Sequence, residues 1–204
     1  MEKSFRQSLN VKNMEDRALA TIKTMLNERN LKIEQPESLG SPVDDTKMYN
    51  FGGILVIFSE KTRVSDNNLS AYIKFALENN YTNGTIVISQ IPSSESVLNS
   101  VRKYINNPEN PMLQIFDIRS VGFNRSLHVK VPRHRILAKN EISELEVRYN
   151  ISKAKEQLPW IDSQDPMAKW VGARPGDILE IIRFSESAGA SPYYRYCVAN
   201  VSDT

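Results

Sequence analysis

Three short apolar runs limit the fold more than anything else in the chain. They are Ile54-Leu55-Val56-Ile57 within Gly53 to Phe58, Thr85 to Ser89, and Leu113 to Ile118. Each is short and largely apolar, without the alternation of a half-exposed strand. That pattern suits strands covered on both faces. Helical stripes lie between them. Leu69, Tyr72, Ile73, Ala76 and Leu77 fall at i, i+3, i+4, i+7 and i+8, with Ser65 as a cap and Asn79-Asn80 as a stop. Val97, Val101, Tyr104 and Ile105 mark a second helix, opened by Ser93 or Ser94. Met14, Ala18, Ile22, Met25 and Leu26 mark an earlier one over residues 14–31, with Asn13 as its cap. Residues 34–50, with Pro36, Gly40 and Pro42, read as a loop. Strands joined through helices pair in parallel by right-handed crossovers. Residues 1–120 are therefore expected to form an α/β domain, a small and mostly parallel sheet with helices.

Residues 121–204 read differently. Glu141 to Tyr149 predicts a short helix with Ile142, Leu145 and Tyr149 inward. Asp165-Pro166 predicts a helix start, Asp as N-cap and Pro at the first helical position. Ala168 and Val171 face inward in this reading, and Gly172 suits a left-handed C-cap. Pro175-Gly176-Asp177 is a turn. Ile178 to Phe184 and Tyr193 to Val201 then form an antiparallel pair around Gly189, so this second domain is α+β.

Charge is unevenly placed. The chain is formally +2, yet no acid lies between Asp117 and Glu141, a window that holds Arg119, Arg125, Lys130, Arg133, Arg135, Lys139, His128 and His134. Such a run suits a phosphate backbone, an acidic partner surface, or a solvated strand between domains. Arg183, Glu186 and Arg195 stand at the end of one strand, in the turn and in the returning strand. They fit either a cross-strand ion pair or contacts to a partner. Trp160 and Trp170 flank the Asp-Pro motif and read as core, with an interface role as the rival.

Several chemistries find no support. Gly52-Gly53 precedes a strand rather than opening a helix, so it is a turn and not a phosphate loop. Asp45-Thr46-Lys47 is the one Asp-x-Lys triplet near the first strand. It sits in a Pro-containing loop without a second acidic strand partner, which is a poor start for metal-assisted hydrolysis. The two histidines and one cysteine do not make a usual zinc site. Cys197 excludes an internal disulfide, fits a reducing compartment, and lies in an alternating stretch as a buried structural thiol. No run approaches the roughly 18 apolar residues of a membrane span, and the N-terminus lacks the apolar centre of a signal peptide. No catalytic residue, metal site, cofactor or membrane partner is expected.

One set of signals goes further. Val131-Pro132, His134, Arg148-Tyr149, Gln157-Leu158-Pro159, Asp165-Pro166, Gly172, Gly176-Asp177, Ile181-Ile182-Arg183, Ser185-Glu186, Gly189 and Tyr194-Arg195 follow in order. This order and spacing resembles the C-terminal domain of the fifth subunit of eukaryotic RNA polymerases and the corresponding subunit of archaeal RNA polymerases. The resemblance covers about Val131 to Tyr196. Before it, only the order of elements is similar to the eukaryotic subunit. Two departures mark a divergent member: Ala138 where the family has Ser, and about two extra residues between Arg148-Tyr149 and Gln157. The resemblance implies a non-catalytic subunit of a multisubunit DNA-directed RNA polymerase. Its C-terminal domain would dock on the largest subunit among the core subunits, and its N-terminal domain would form a jaw beside downstream duplex DNA, bound weakly and without sequence preference. The partner-binding candidates are Arg133, His134, Arg135, Lys139, Arg183, Glu186 and Arg195. It also implies the nucleus if the chain is cellular, or host cytoplasm and virion if a large cytoplasmic DNA virus encodes it. Two rivals remain: a stand-alone DNA-acting enzyme of nuclease-like fold, and a transcription regulator that binds polymerase.

Overall fold

The computed structural model describes residues 2–186 and 189–201, with side chains from Asn13 onward. The chain divides into two compact units, Met1–Asn124 and Arg125–Thr204.

The first unit is built on a five-stranded sheet in the order β1-β2-β3-β4-β5. The three apolar runs form β3 (Ile54–Ser59), β4 (Gly84–Ser89) and β5 (Leu113–Asp117), and they pair in parallel. Every residue of β3 and β4 is buried, as expected of strands covered on both faces. The expected loop over 34–50 is in part a hairpin. β1 (Glu37–Gly40) and β2 (Thr46–Asn50) add antiparallel to the edge of β3. Thr46 and Met48 are buried while Lys47 and Tyr49 are half-buried, a period-two pattern that the polar residues around it conceal.

Helices α2 (Asp66–Glu78) and α3 (Glu95–Asn106) pack on one face, where Leu69, Tyr72, Ala76, Val97, Val101 and Ile105 meet Leu55, Ile57, Val87 and Ile115. Ser65 caps α2 by accepting the Asn68 N–H at 3.3 Å. Leu77, expected inward, is half-exposed. At about 100° per residue it lies farthest from the centre of the stripe set by Leu69, Tyr72 and Ala76. On the other face lies α1 (Glu2–Glu28). Ala18, Ile22, Met25 and Leu26 are fully buried, as their spacing predicts. Glu15 holds Lys47 at 3.0 Å, and Arg29 donates to Gln114 at 2.7 Å. The helix does not begin at Asn13. Glu, Lys, Arg, Gln and Leu precede that residue, all good helix formers, and extending an existing helix costs little.

The Asp45-Thr46-Lys47 triplet serves structure. Lys47 lies between Glu15 and Glu60, while Asp45 takes a left-handed turn conformation and pairs loosely with Lys61 at 3.8 Å. Gly53 is needed where it stands. Its φ is +91°, and a Cβ there would come within 2.8 Å of the Asn83 amide.

The second unit carries a four-stranded sheet, in the order β6-β8-β9-β7. β6 (Arg133–Ile136), β8 (Ile178–Ser185) and β9 (Gly189–Val198) are antiparallel neighbours, and β7 (Trp160–Asp162) runs parallel to β9. The long β8–β9 hairpin is the antiparallel pair that the sequence predicts; β6 lies in the basic window, where a strand between domains is one reading, while β7 is a strand that no sequence pattern announces. Helix α4 (Lys139–Tyr149) covers one face through Leu145 and Ile142 against Leu137, Ile178, Tyr194 and Tyr196. Tyr149, expected inward, is half-exposed and tilts against Tyr194, with ring centres 6.1 Å apart. Helix α5 (Ala154–Gln157) ends the following loop. There the Gln157 side chain accepts the Ser152 and Lys153 N–H groups, each at 2.8 Å. Helix α6 (Pro166–Val171) covers the opposite face, with Ala168 and Val171 against Ile136, Ile161, Leu179 and Cys197. No helix among the described residues is long and apolar enough to cross a membrane.

Candidate partner-binding surface

The sheet of the second unit separates the candidate residues by strand parity. Successive side chains on a strand point to opposite faces, and directly paired residues share one. Arg133 and Arg135 therefore point to the α4 face with Glu180 and Tyr194, while His134 points to the α6 face with Ile181 and Tyr193. Within the strand the two arginines of the basic window thus share one face and its histidine takes the other.

On the α4 face Arg135 is committed internally. Its Nε donates to Glu180 Oε2 at 2.6 Å and its Nη1 to both Glu141 oxygens at 2.8 Å. The Tyr194 hydroxyl donates to the other Glu180 oxygen at 3.3 Å. Glu141 also accepts the Ala138 N–H at 2.8 Å. Ala138 has no side-chain acceptor of its own, so this bond from Glu141 is what secures the start of α4. The backbone bond from Ala138 and the Arg135 guanidinium hold the Glu141 carboxyl below its ordinary range. Arg133 and Lys139 are exposed.

On the α6 face the cross-strand ion pair, one of the two readings of Arg183, Glu186 and Arg195, does not form. Register explains it: Arg195 lies opposite Leu179, and Arg183 opposite Ser191. Both arginines turn to an aromatic ring instead. The Arg183 guanidinium carbon stands 3.9 Å from the Tyr193 ring centre, and that of Arg195 stands 5.6 Å from it. Arg195 Nη1 also donates to the Trp160 carbonyl at 3.0 Å. Glu186 is exposed in the turn and has no ion pair among the described residues. His134 Nδ1 donates to the Pro132 carbonyl at 2.7 Å. Burial pulls its imidazole below the ordinary value, and Arg195 and Arg183 act in the same direction. The carboxylate that opposes them, Asp165, is engaged in capping α6: its Oδ1 accepts the Met167 N–H at 2.8 Å and the Ala168 N–H at 3.2 Å. This face therefore gathers two arginines whose charge meets a ring rather than a carboxylate.

Other candidates are structural. Cys197 is fully buried, and burial pushes its thiol up to about 12. Trp170 is buried, whereas Trp160 is half-buried and donates its indole N–H to the Lys155 carbonyl at 2.6 Å. Among the described residues no group of three or more His, Cys, Asp and Glu is placed to hold a metal ion. Sequence reasoning missed Gln164, which stands beside Arg195 in an open notch. Nothing in the sequence marks it, because the strand that brings the two residues together, β7, has no sequence signal of its own.

Residues 123–197 match the family described as RNA polymerase Rpb5, C-terminal domain. The chain is 50% identical over 76 residues to the DNA-directed RNA polymerase subunit Rpo5 of Pyrococcus abyssi, an alignment that takes in 37% of this chain and 90% of that protein. It is 49% identical over 71 residues to the Rpo5 subunit of Archaeoglobus fulgidus, 35% of this chain and 91% of that one. With the Rpo5 subunit of Sulfolobus acidocaldarius the identity is 43% over 74 residues, 34% and 88% of the two chains.

Proposed function

The chain belongs to the family of RNA polymerase subunits that includes Rpb5 and Rpo5, and we propose that it serves as a non-catalytic subunit of a multisubunit DNA-directed RNA polymerase, docked on the largest subunit through residues 125–204. One observation carries the reading. The shared stretch is 90% of the Pyrococcus abyssi subunit. That protein consists of little else, so what joins it to a polymerase lies largely in the part this chain shares.

The electrostatics of the second unit support a docking role. Arg183 and Arg195 keep their planar N–H forks on a ring rather than on a carboxylate, which leaves them suited to a protein interface. Arg135 has its Nε and Nη1 engaged by Glu180 and Glu141, which supports the role less well than the ring-facing arginines do. Arg133 and Lys139 are exposed cations on the side of α4. The first unit is assigned to a jaw beside downstream duplex DNA, on the order of its elements. Its contact with DNA would be through the backbone and without sequence preference.

Affinity purification of the full chain from its own cells or infected host tests the proposal, with subunit stoichiometry by mass spectrometry. One copy per polymerase, not exchanging with added free chain, is expected. Substoichiometric, exchangeable association would favour a regulator, and purification without polymerase subunits would refute the assignment.

A further inference from the structure

Ahead of β6 the chain makes a single 3₁₀ turn, Arg125–Leu127, and a tight loop. Two large apolar side chains stand in water there: Leu127 is 79% exposed and Val129 is 95% exposed. A lone exposed apolar side chain is ordinary. This pair differs because its backbone is tied. The His128 N–H donates to the Arg125 carbonyl at 3.1 Å and the Val131 N–H to the His128 carbonyl at 2.8 Å. The Lys130 N–H donates to His128 Nδ1 at 3.2 Å. These bonds set the loop before any partner arrives, so little ordering entropy is lost on contact.

The cations beside the pair select the partner. Lys130 and Arg133 are exposed, and among the described residues neither has an ion pair. No acid lies between Asp117 and Glu141 to neutralise them. Such a cluster attracts an anionic surface. A phosphate backbone would answer the cations and leave Leu127 and Val129 in water, whereas a protein surface can answer both. We propose that loop 125–131 docks into an apolar recess rimmed by Asp or Glu side chains on a protein neighbour in the polymerase. Leu127 and Val129 fill the recess, and Lys130 and Arg133 meet its rim. Burial of the apolar pair supplies the affinity, and the rim charges govern approach and register. This rests on the docking reading above and gives the chemistry of one contact within it.

The test uses the full chain, in excess over the polymerase of its own source, with wild type and variant carrying different tags and competing for it. Leu127→Ser combined with Val129→Ser removes the apolar surface at constant charge. Lys130→Gln combined with Arg133→Gln removes the charge. All four positions are exposed, so the melting midpoints of the free variants should match wild type. A lowered midpoint would mean that the loop packs within its own chain, and would overturn the proposal. The serine pair's share of the polymerase should fall roughly ten-fold or more. The glutamine pair's share should fall roughly three-fold, and less at high salt, where exposed charges are screened. Equal competition by either pair overturns the proposal. A photoreactive amino acid at position 129 of the full chain then reports what lies against it in the polymerase. Crosslinking to a protein segment that carries apolar and acidic residues is expected. A crosslink to DNA, to lipid or to this chain itself, or no crosslink, overturns the proposal. If wild type does not enter the polymerase, the docking reading falls and the contact with it. If wild type enters while the serine pair competes equally, only the loop contact is wrong.

Discussion

Asp165→Ala should destabilise the second unit more than its half-buried position suggests. Helix α6 has only six residues, Pro166–Val171, and its first turn depends on one carboxylate. Pro166 has no N–H. The next two N–H groups, of Met167 and Ala168, both donate to Asp165 Oδ1, at 2.8 and 3.2 Å. The first main-chain bond of the helix, Lys169 N–H to the Asp165 carbonyl at 2.9 Å, follows directly. Alanine would leave two donors without their acceptor in a helix that holds Ala168 and Trp170 in the core. The cost belongs in the upper part of the N-cap range, about 1–2 kcal/mol. Asp165→Asn keeps an acceptor and loses only the charge at the helix start, so about 0.3–1 kcal/mol is expected. Both tryptophans of the chain, Trp160 and Trp170, lie in the second unit, so urea unfolding followed by tryptophan fluorescence reports that unit. With a slope of about 1–2 kcal/mol per molar urea for a small domain, alanine should lower the midpoint by roughly 0.5–2 M, and asparagine by less. An unchanged midpoint for Asp165→Ala, or an equal loss for both variants, would refute the argument from two shared donors.

Four further outcomes are expected. Cys197, with its thiol raised to about 12 by burial and by Asp177, Asp162 and Asp165, should resist iodoacetamide in the native chain and react only on unfolding; alkylation at the rate of a free thiol contradicts this. Burial depresses the folded pKa of His134, so the unfolded chain binds the proton first; its stabilisation is full above about pH 6.5 and is lost as the pH falls from there through the folded value. His134→Gln should flatten that decline in acid-titrated urea midpoints, and an identical slope speaks against it. Arg135→Ala should destabilise the second unit more than Glu141→Ala, since it strands the Glu180 carboxylate, only 15% exposed, without its cation; the reverse order in the same melts would show that the α4 start matters more. Binding of the full chain to duplex DNA should be weak with a shallow salt slope, read by fluorescence anisotropy, and a steep slope would require a phosphate-binding surface larger than the six cations between Asp117 and Glu141 supply.

What the amino-acid sequence determined by itself was local or periodic. The runs at Ile54, Thr85 and Leu113 are short and largely apolar without the alternation of a half-exposed strand, a pattern that suits strands covered on both faces; β3, β4 and β5 are those strands. Asp165-Pro166 and Gly172 act through atoms within a few residues, so the ends of α6 are legible without any tertiary contact. The family resemblance is carried by the same kind of feature, turns and caps at set spacing, and residues 123–197 match the Rpb5 C-terminal domain. Tertiary structure decided the rest because it depends on register and pairing between distant segments. Strand β2 is short and polar on one side, and it is a strand because β3 offers it an edge. Arg135 and His134 are neighbours in sequence, yet the pleat sends one to Glu180 and Glu141 and the other to the opposite face. Sequence distance places Arg183 and Arg195 near Glu186, but the hairpin register puts Ser191 and Leu179 opposite them and leaves Tyr193 as their shared partner. The notch that holds Gln164 and Arg195 exists only because three residues, Trp160–Asp162, pair in parallel with β9 from more than thirty residues away. Propensity within one short segment carries no information about which distant strand edge will complete its hydrogen bonds.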